Sequence, residues 1–104
     1  MGSRRRRVVW SRGASLELDA AVSHIAEDSP QTAAAILERV LEAAASLATL
    51  SERGRVVPER GEPQIRELLV EPFRLVYQVR VEEVVMLGLI HQRQDFDRWS
   101  ASKK

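Results

Sequence analysis

The sequence predicts an α+β fold: an N-terminal strand and an antiparallel helix hairpin pack on one face of a small antiparallel sheet, which ends in a three-strand meander. Residues 63–92 hold three runs rich in β-branched, aromatic and leucine side chains, interrupted at 71–72 and at 82–83. Two stretches with apolar residues at helical spacing come before them and meet at 29–30. The chain of 104 residues is long enough for one core and too short for two. We therefore expect a single domain over 1–104, with flexible ends at 1–4 and 100–104.

Composition narrows the class of protein. Hydrophobic residues make up 44% of the chain and charged residues 30%, which is typical of a soluble globular domain. No apolar run approaches the roughly 20 residues that a membrane helix needs. The arginines at 4–7 are not followed by the apolar segment of a signal peptide. We expect a cytoplasmic protein without a membrane partner.

Cysteine is absent, and the two histidines are isolated in the sequence. These counts exclude disulfides and thiolate chemistry, and they supply no recognisable metal spacing. We therefore predict no metal and no cofactor. The basic residues are 14 arginines and 2 lysines, a bias that suits bidentate contacts to carboxylate or phosphate.

The first element is a strand over 5–10, which we place at a sheet edge because its arginines discourage pairing with other chains. A basic arm that touches nucleic acid is the functional alternative for these arginines. Ser11 is a plausible N-cap for a first amphipathic helix over 12–28. His24 lies off its apolar stripe, so we expect it to be solvated.

A second, longer helix begins at Ser29-Pro30, because serine caps a helix and proline is tolerated at its first position. The two helices form a hairpin whose apolar side needs a sheet to cover. Residues 51–62 hold glycine, proline and six charged side chains and are predicted to be a loop. A loop of about twelve residues is long enough to suspect a functional role.

The middle run of the meander sets the two faces of the sheet. One side of a period-two strand carries Phe73, Leu75, Tyr77, Val79 and Val81, and the other carries Arg74, Val76, Gln78 and Arg80. The first side is predicted to be buried against the helices. The last strand, 84–90, is apolar on both faces and is predicted to lie inside the sheet. The residues after His91 are interpreted as a short helical turn or a frayed end.

Arginines on the polar face are the candidate contacts to another macromolecule. Arg66 and Arg80 are predicted to share this face with Arg74, and with Arg93 they form our set of target-binding residues. The structural alternative for Arg74 is a salt bridge to Glu67 or to another loop carboxylate. Tyr77 is predicted to be a core residue.

Six short strings, in this order, resemble the ParE/RelE toxin superfamily. They are Val-Val-Trp-Ser, Ile-Ala-Glu-Asp-Ser-Pro, Gly-Arg-Val-Val-Pro-Glu, Ile-Arg-Glu-Leu, Pro-Phe-Arg-Leu-Val-Tyr and Leu-Ile-His-Gln-Arg-Gln-Asp. The resemblance covers about 8–96. The loop string and the His-x-x-x-Asp ending at His91 and Asp95 are closer to the ParE branch.

The resemblance implies a RelE/ParE-like fold and the toxin of a type II toxin–antitoxin pair, neutralised by a cognate antitoxin. ParE-like toxins inhibit DNA gyrase by binding, and this is the function we expect. RelE-like toxins cut messenger RNA on the ribosome, which is the alternative. A third possibility is a non-toxic homologue that only binds antitoxin.

A nuclease would need a base, an acid and cationic groups around the scissile phosphate. Arg74 matches the arginine of the shared strand motif, and Glu59, Glu67 or His91 would be its acid and base. Family nucleases commonly add a tyrosine or a second basic group near the C-terminus. The single tyrosine here is predicted to lie on the apolar face. We therefore expect a binding protein rather than an enzyme, with Arg74, His91 and Glu59 as the catalytic set if it is an endoribonuclease.

Overall fold

The computed structural model describes residues 5–102. Its elements in chain order are β1 (Arg7–Trp10), α1 (Arg12–Ala26), α2 (Pro30–Ser46), β2 (Arg55–Val56), β3 (Ile65–Val70), β4 (Phe73–Val79), β5 (Glu83–His91) and α3 (Phe96–Ala101). The predicted flexible stretch 1–4 lies outside the described residues, as do 103–104. Residues 100–101 are part of α3.

The predicted α+β architecture is confirmed, with one difference in the sheet. The strand order is β1-β5-β4-β3-β2, and β3, β4 and β5 form the antiparallel meander. β1 occupies an edge as predicted, but it pairs with β5 in parallel, so the sheet is mixed. Parallel neighbours need a long crossover, and here the whole chain between β1 and β5 supplies it. β5 consequently lies inside the sheet, as its apolar faces predicted.

Both predicted caps start the helices. Ser11 Oγ accepts a hydrogen bond from the Ala14 N–H at 3.1 Å, and Ser29 Oγ accepts one from the Thr32 N–H at 3.2 Å. Pro30 occupies the first turn of α2. These bonds satisfy donors that a helix N-terminus otherwise leaves open. The hairpin therefore forms where the sequence places it, with His24 exposed on α1.

The main core lies between the hairpin and one face of the sheet. Phe73 is 7% exposed and Tyr77 is fully buried, so both rings face the helices as predicted. Val81 departs from the prediction, because β4 ends at Val79 and leaves the Val81 side chain 68% exposed. The strand alternation cannot be extended past the last paired residue.

A second, smaller core covers part of the opposite face. Its buried members are Val57, Ile65, Val76, Ile90 and Phe96. The C-terminal stretch, predicted to be a helical turn or a frayed end, is the helix α3. Asp95 Oδ1 caps it by accepting from the Asp97 N–H at 3.0 Å.

Residues 51–62 form turns around the two-residue strand β2, which the sequence did not predict. The Gly54 N–H donates to the buried Tyr77 hydroxyl at 2.8 Å. Burial raises the pKa of Tyr77, so the phenol stays protonated. This bond ties the start of the segment to the main core.

Candidate functional site

Arg74 is the centre of the polar face, and its side chain is held by Glu67 and Phe96. Its Nε donates to Glu67 Oε1 at 2.6 Å. Its guanidinium carbon lies 5.0 Å from the centroid of the Phe96 ring, within cation–π range. The side chain is only 12% exposed. These two contacts fix the plane of the guanidinium group.

Glu67 is the buried carboxylate of this site. It lies on β3, two residues before Leu69, which pairs with Arg74 of β4. Residues two apart in a strand share a face, so Glu67 and Arg74 are diagonal neighbours on one face of the sheet. Glu67 is 4% exposed, and its second oxygen accepts from Arg55 Nε at 2.6 Å. A buried charge needs such partners, because an unpaired one is costly. Glu67 thus anchors two arginines, and the predicted salt bridge between Glu67 and Arg74 is present.

Glu59 completes the group that we call the Arg74 cluster: Arg55, Glu59, Glu67 and Arg74. Its carboxylate accepts from both terminal nitrogens of Arg74, at 3.2 Å and 2.9 Å. These hydrogen bonds lower the pKa of Glu59 below its ordinary value of 4.5. Burial lowers the pKa of Arg74, but hydrogen bonds to both carboxylates outweigh it and raise that pKa overall. The cluster borders a cavity of about 480 Å³ that Leu69 and Gln92 also line.

The pH dependence of stability tests the Glu59–Arg74 contact. A carboxylate with a depressed pKa in the folded state stabilises the protein above 4.5, its ordinary pKa, and loses that contribution as the pH falls through the folded value. At pH 7 the Glu59→Gln substitution should lower the free energy of unfolding by about 0.5 to 1 kcal/mol relative to wild type. In urea titrations at pH 7, 5 and 3 this difference should shrink below pH 4.5. An undiminished difference at pH 3 would show that the charge of Glu59 is not the cause.

The structure brings together two of the three candidate nuclease residues and separates the third. Arg74 and Glu59 are in direct contact, whereas His91 lies on the face that carries α1. The His91 ring packs edge-on against Phe73, with centroids 5.7 Å apart, and its Nδ1 accepts from the Arg93 N–H at 3.1 Å. His91 therefore borders a groove beside α1 rather than the Arg74 cluster.

The four predicted target-binding arginines do not form one patch. Arg66 pairs with Tyr77 across β3 and β4, which puts its side chain on the helix-bearing side, so the prediction that it shares the polar face is wrong. The register of β3 against β4 places Glu67, and not Arg66, on the same face as Arg74. Its guanidinium donates to the carbonyl oxygens of Pro63 and Gly54, at 2.9 Å and 2.8 Å, and so secures the loop.

The other two predicted arginines lie near opposite ends of the meander. Arg80 follows the end of β4, about 20 Å from Arg74 by the rise of a strand. Its Nε donates to Gln78 Oε1 at 3.2 Å. Arg93 lies in the turn after β5, at the same end as Arg74. Its side chain is exposed and makes no hydrogen bond or ion pair within residues 5–102.

Comparison with known proteins identifies a matching family and a solved structure with a similar fold. A family model described as the ParE toxin of the type II toxin–antitoxin system parDE matches residues 8–96. The chain belongs to the ParE toxin family. Among solved structures, this ParE-family toxin is similar to the chromosomal ParDE toxin–antitoxin system from P. aeruginosa, with 25% identity and a TM-score of 0.69 over 86% of this chain and 98% of that one. Comparison with curated proteins gave no significant match.

Two members of the site were not predicted from the toxin's sequence. In the sequence Arg55 is one of several charged residues of a predicted loop, and Phe96 lies in the stretch after His91 that is predicted to be a helical turn or a frayed end. A signal was present for each: Arg55 precedes two adjacent β-branched residues, which favour a strand, and Phe96 follows the capping residue Asp95. Within residues 5–102 no helix is long and apolar enough to cross a membrane.

Proposed function

We propose that this ParE-family toxin inhibits DNA gyrase by binding it, without cutting a nucleic acid, and that a cognate antitoxin neutralises the toxin. Family membership supports the toxin role, and the solved relative is itself a toxin–antitoxin system. The proposal places the toxin in the cytoplasm, where gyrase works. We choose a binding mechanism over cleavage because both carboxylates of the Arg74 cluster are already bonded to arginines.

The cluster is poorly suited to acid–base catalysis. A general base works best with a pKa near the working pH, but the pKa of Glu59 is lowered. Glu67 is buried and bonded to two arginines. His91 and Arg66 lie on the other side of the sheet. Arg66 holds the loop, and the Arg93 side chain faces solvent. This arrangement favours contact with a partner over phosphodiester cleavage.

Two assays on one preparation separate this function from the alternative. Purified toxin should inhibit supercoiling by gyrase in a dose-dependent way, and an equimolar amount of the antitoxin encoded beside it should restore supercoiling. The same toxin should leave messenger RNA intact in a translation extract. Messenger cleavage that requires Arg74 would instead support a ribosome-dependent endoribonuclease. Inactivity in both assays, with antitoxin binding retained, would indicate a homologue that only binds antitoxin.

A further inference from the structure

The outer end of Arg74 has the geometry of a ready-made carboxylate receptor. Its Nε is bonded to Glu67, and its plane is held by Phe96. The two terminal nitrogens are left as a fork directed away from the core. A planar fork of this kind binds a carboxylate through two parallel hydrogen bonds. Because the fork is held rigid, a ligand loses little by ordering it.

In the free protein this fork is filled by Glu59 of the same chain. The contact is bidentate, at 3.2 Å and 2.9 Å, which is the geometry an external carboxylate would adopt. Unlike Glu67, which is 4% exposed, the Glu59 side chain is 32% exposed. It lies in a turn where the Arg60 and Gly61 N–H groups donate to the Val57 carbonyl oxygen, and 58–60 are all exposed. Glu59 can therefore leave without unfolding the sheet.

The charges around the fork explain why an acidic group could replace Glu59. Glu67 offsets one of the two arginines that it contacts, and Glu59 offsets the other. When Glu59 leaves, a single positive charge remains beside a cavity of about 480 Å³. One carboxylate restores the balance. A nucleic-acid strand brings a row of negative charges, more than the one positive charge that remains can balance.

The wall of the cavity favours a protein ligand. Leu69 lines the same cavity and is 59% exposed, although it lies within β3. An exposed leucine beside a fixed arginine matches a peptide segment with one acidic and one apolar side chain. We propose that an acidic side chain of the antitoxin displaces Glu59 from Arg74 and that a neighbouring apolar side chain packs on Leu69. The inference rests on the antitoxin partner named above and assigns it a site.

Removing the internal competitor should strengthen antitoxin binding. A site that is open only part of the time binds more weakly by that fraction, so Glu59→Gln should lower the Kd for the co-expressed antitoxin by about fivefold. Glu59→Ala, which leaves no amide to refill the fork, should lower it at least as much. The matched control is Glu62→Gln, which removes the same charge from the same loop. Glu62 pairs with Arg60 rather than with Arg74, so the Glu62→Gln variant should bind the antitoxin with the Kd of wild type.

The outcomes separate this inference from the proposed function. Equal Kd values for wild type and both Glu59 variants would overturn the inference alone. Weaker binding by the Glu59 variants would overturn it too, because Glu59 would then contact the antitoxin directly. Tighter binding of a 12-nucleotide single-stranded RNA by Glu59→Gln, with no change for the antitoxin, would also overturn it and identify the ligand as a phosphate. Failure of wild-type toxin to bind the antitoxin would overturn both proposals.

Discussion

The Glu67→Gln substitution is expected to lower the free energy of unfolding by about 3 kcal/mol relative to wild type. Glutamine keeps the volume of the side chain and removes the charge that Arg74 and Arg55 share. Removing one partner of a buried ion pair costs about 3 to 5 kcal/mol, because the remaining charge stays buried without compensation. We expect the lower end of this range because Glu59 still contacts Arg74 and because the Arg55 side chain is 70% exposed. Urea titration at pH 7 measures the loss as a shift of the midpoint.

Glu62→Gln is the control for this prediction. Glu62 pairs with Arg60, and both side chains are more than a third exposed. Exposed ion pairs contribute little, so the change should lie within about 0.5 kcal/mol of wild type. If Glu67→Gln proves as mild as this control, the contacts of Glu67 with Arg74 and Arg55 do not stabilise the fold.

A second large loss of stability is expected from substitution of Gly54, which directly precedes the edge strand β2. A Cβ atom there would lie 2.5 Å from the Glu67 carbonyl oxygen and 2.6 Å from the Tyr77 hydroxyl. Neither neighbour can move away, because one is backbone and the other is a fully buried side chain. Gly54→Ala should therefore lower the free energy of unfolding by about 2 to 3 kcal/mol, as overpacking does in well-packed regions. Thermal and urea unfolding should both show it.

The Gly61→Ala substitution is the control that distinguishes a steric clash, expected at Gly54, from backbone strain. Gly61 has a φ of +65°, and a Cβ atom added there would have no neighbour within 4 Å among the described residues, so its substitution meets strain without a clash. The expected loss is about 1 kcal/mol. Equal losses at the two positions would mean that the close approach of Gly54 to Tyr77 is not the reason for the glycine.

Local patterns were enough to predict the helices and the faces of the middle strand. Apolar spacing and serine caps depend on near neighbours in sequence, so the hairpin and the burial of Phe73 and Tyr77 could be predicted. The parallel pairing of β1 with β5 could not, because it depends on how the whole intervening chain crosses the sheet.

The site was only partly predictable for a related reason. β3 has leucine at two successive positions, 68 and 69, so its alternation does not say which side faces the helices. The register with β4 settles it: Glu67 joins Arg74, and Arg66 goes to the other side. The position of His91 beside Phe73 likewise follows from pairing across β4 and β5. Sequence spacing alone could not separate it from Arg74.

The supercoiling reaction of purified gyrase, run with increasing amounts of the toxin, measures directly whether the toxin acts by binding gyrase. Binding without nucleic-acid cleavage predicts that supercoiled product disappears as toxin rises, that the Glu62→Gln variant is as potent as wild type, and that RNA added to the same tube stays whole. Undiminished supercoiling at toxin in large excess over gyrase, together with fragmentation of messenger RNA on ribosomes, would contradict it.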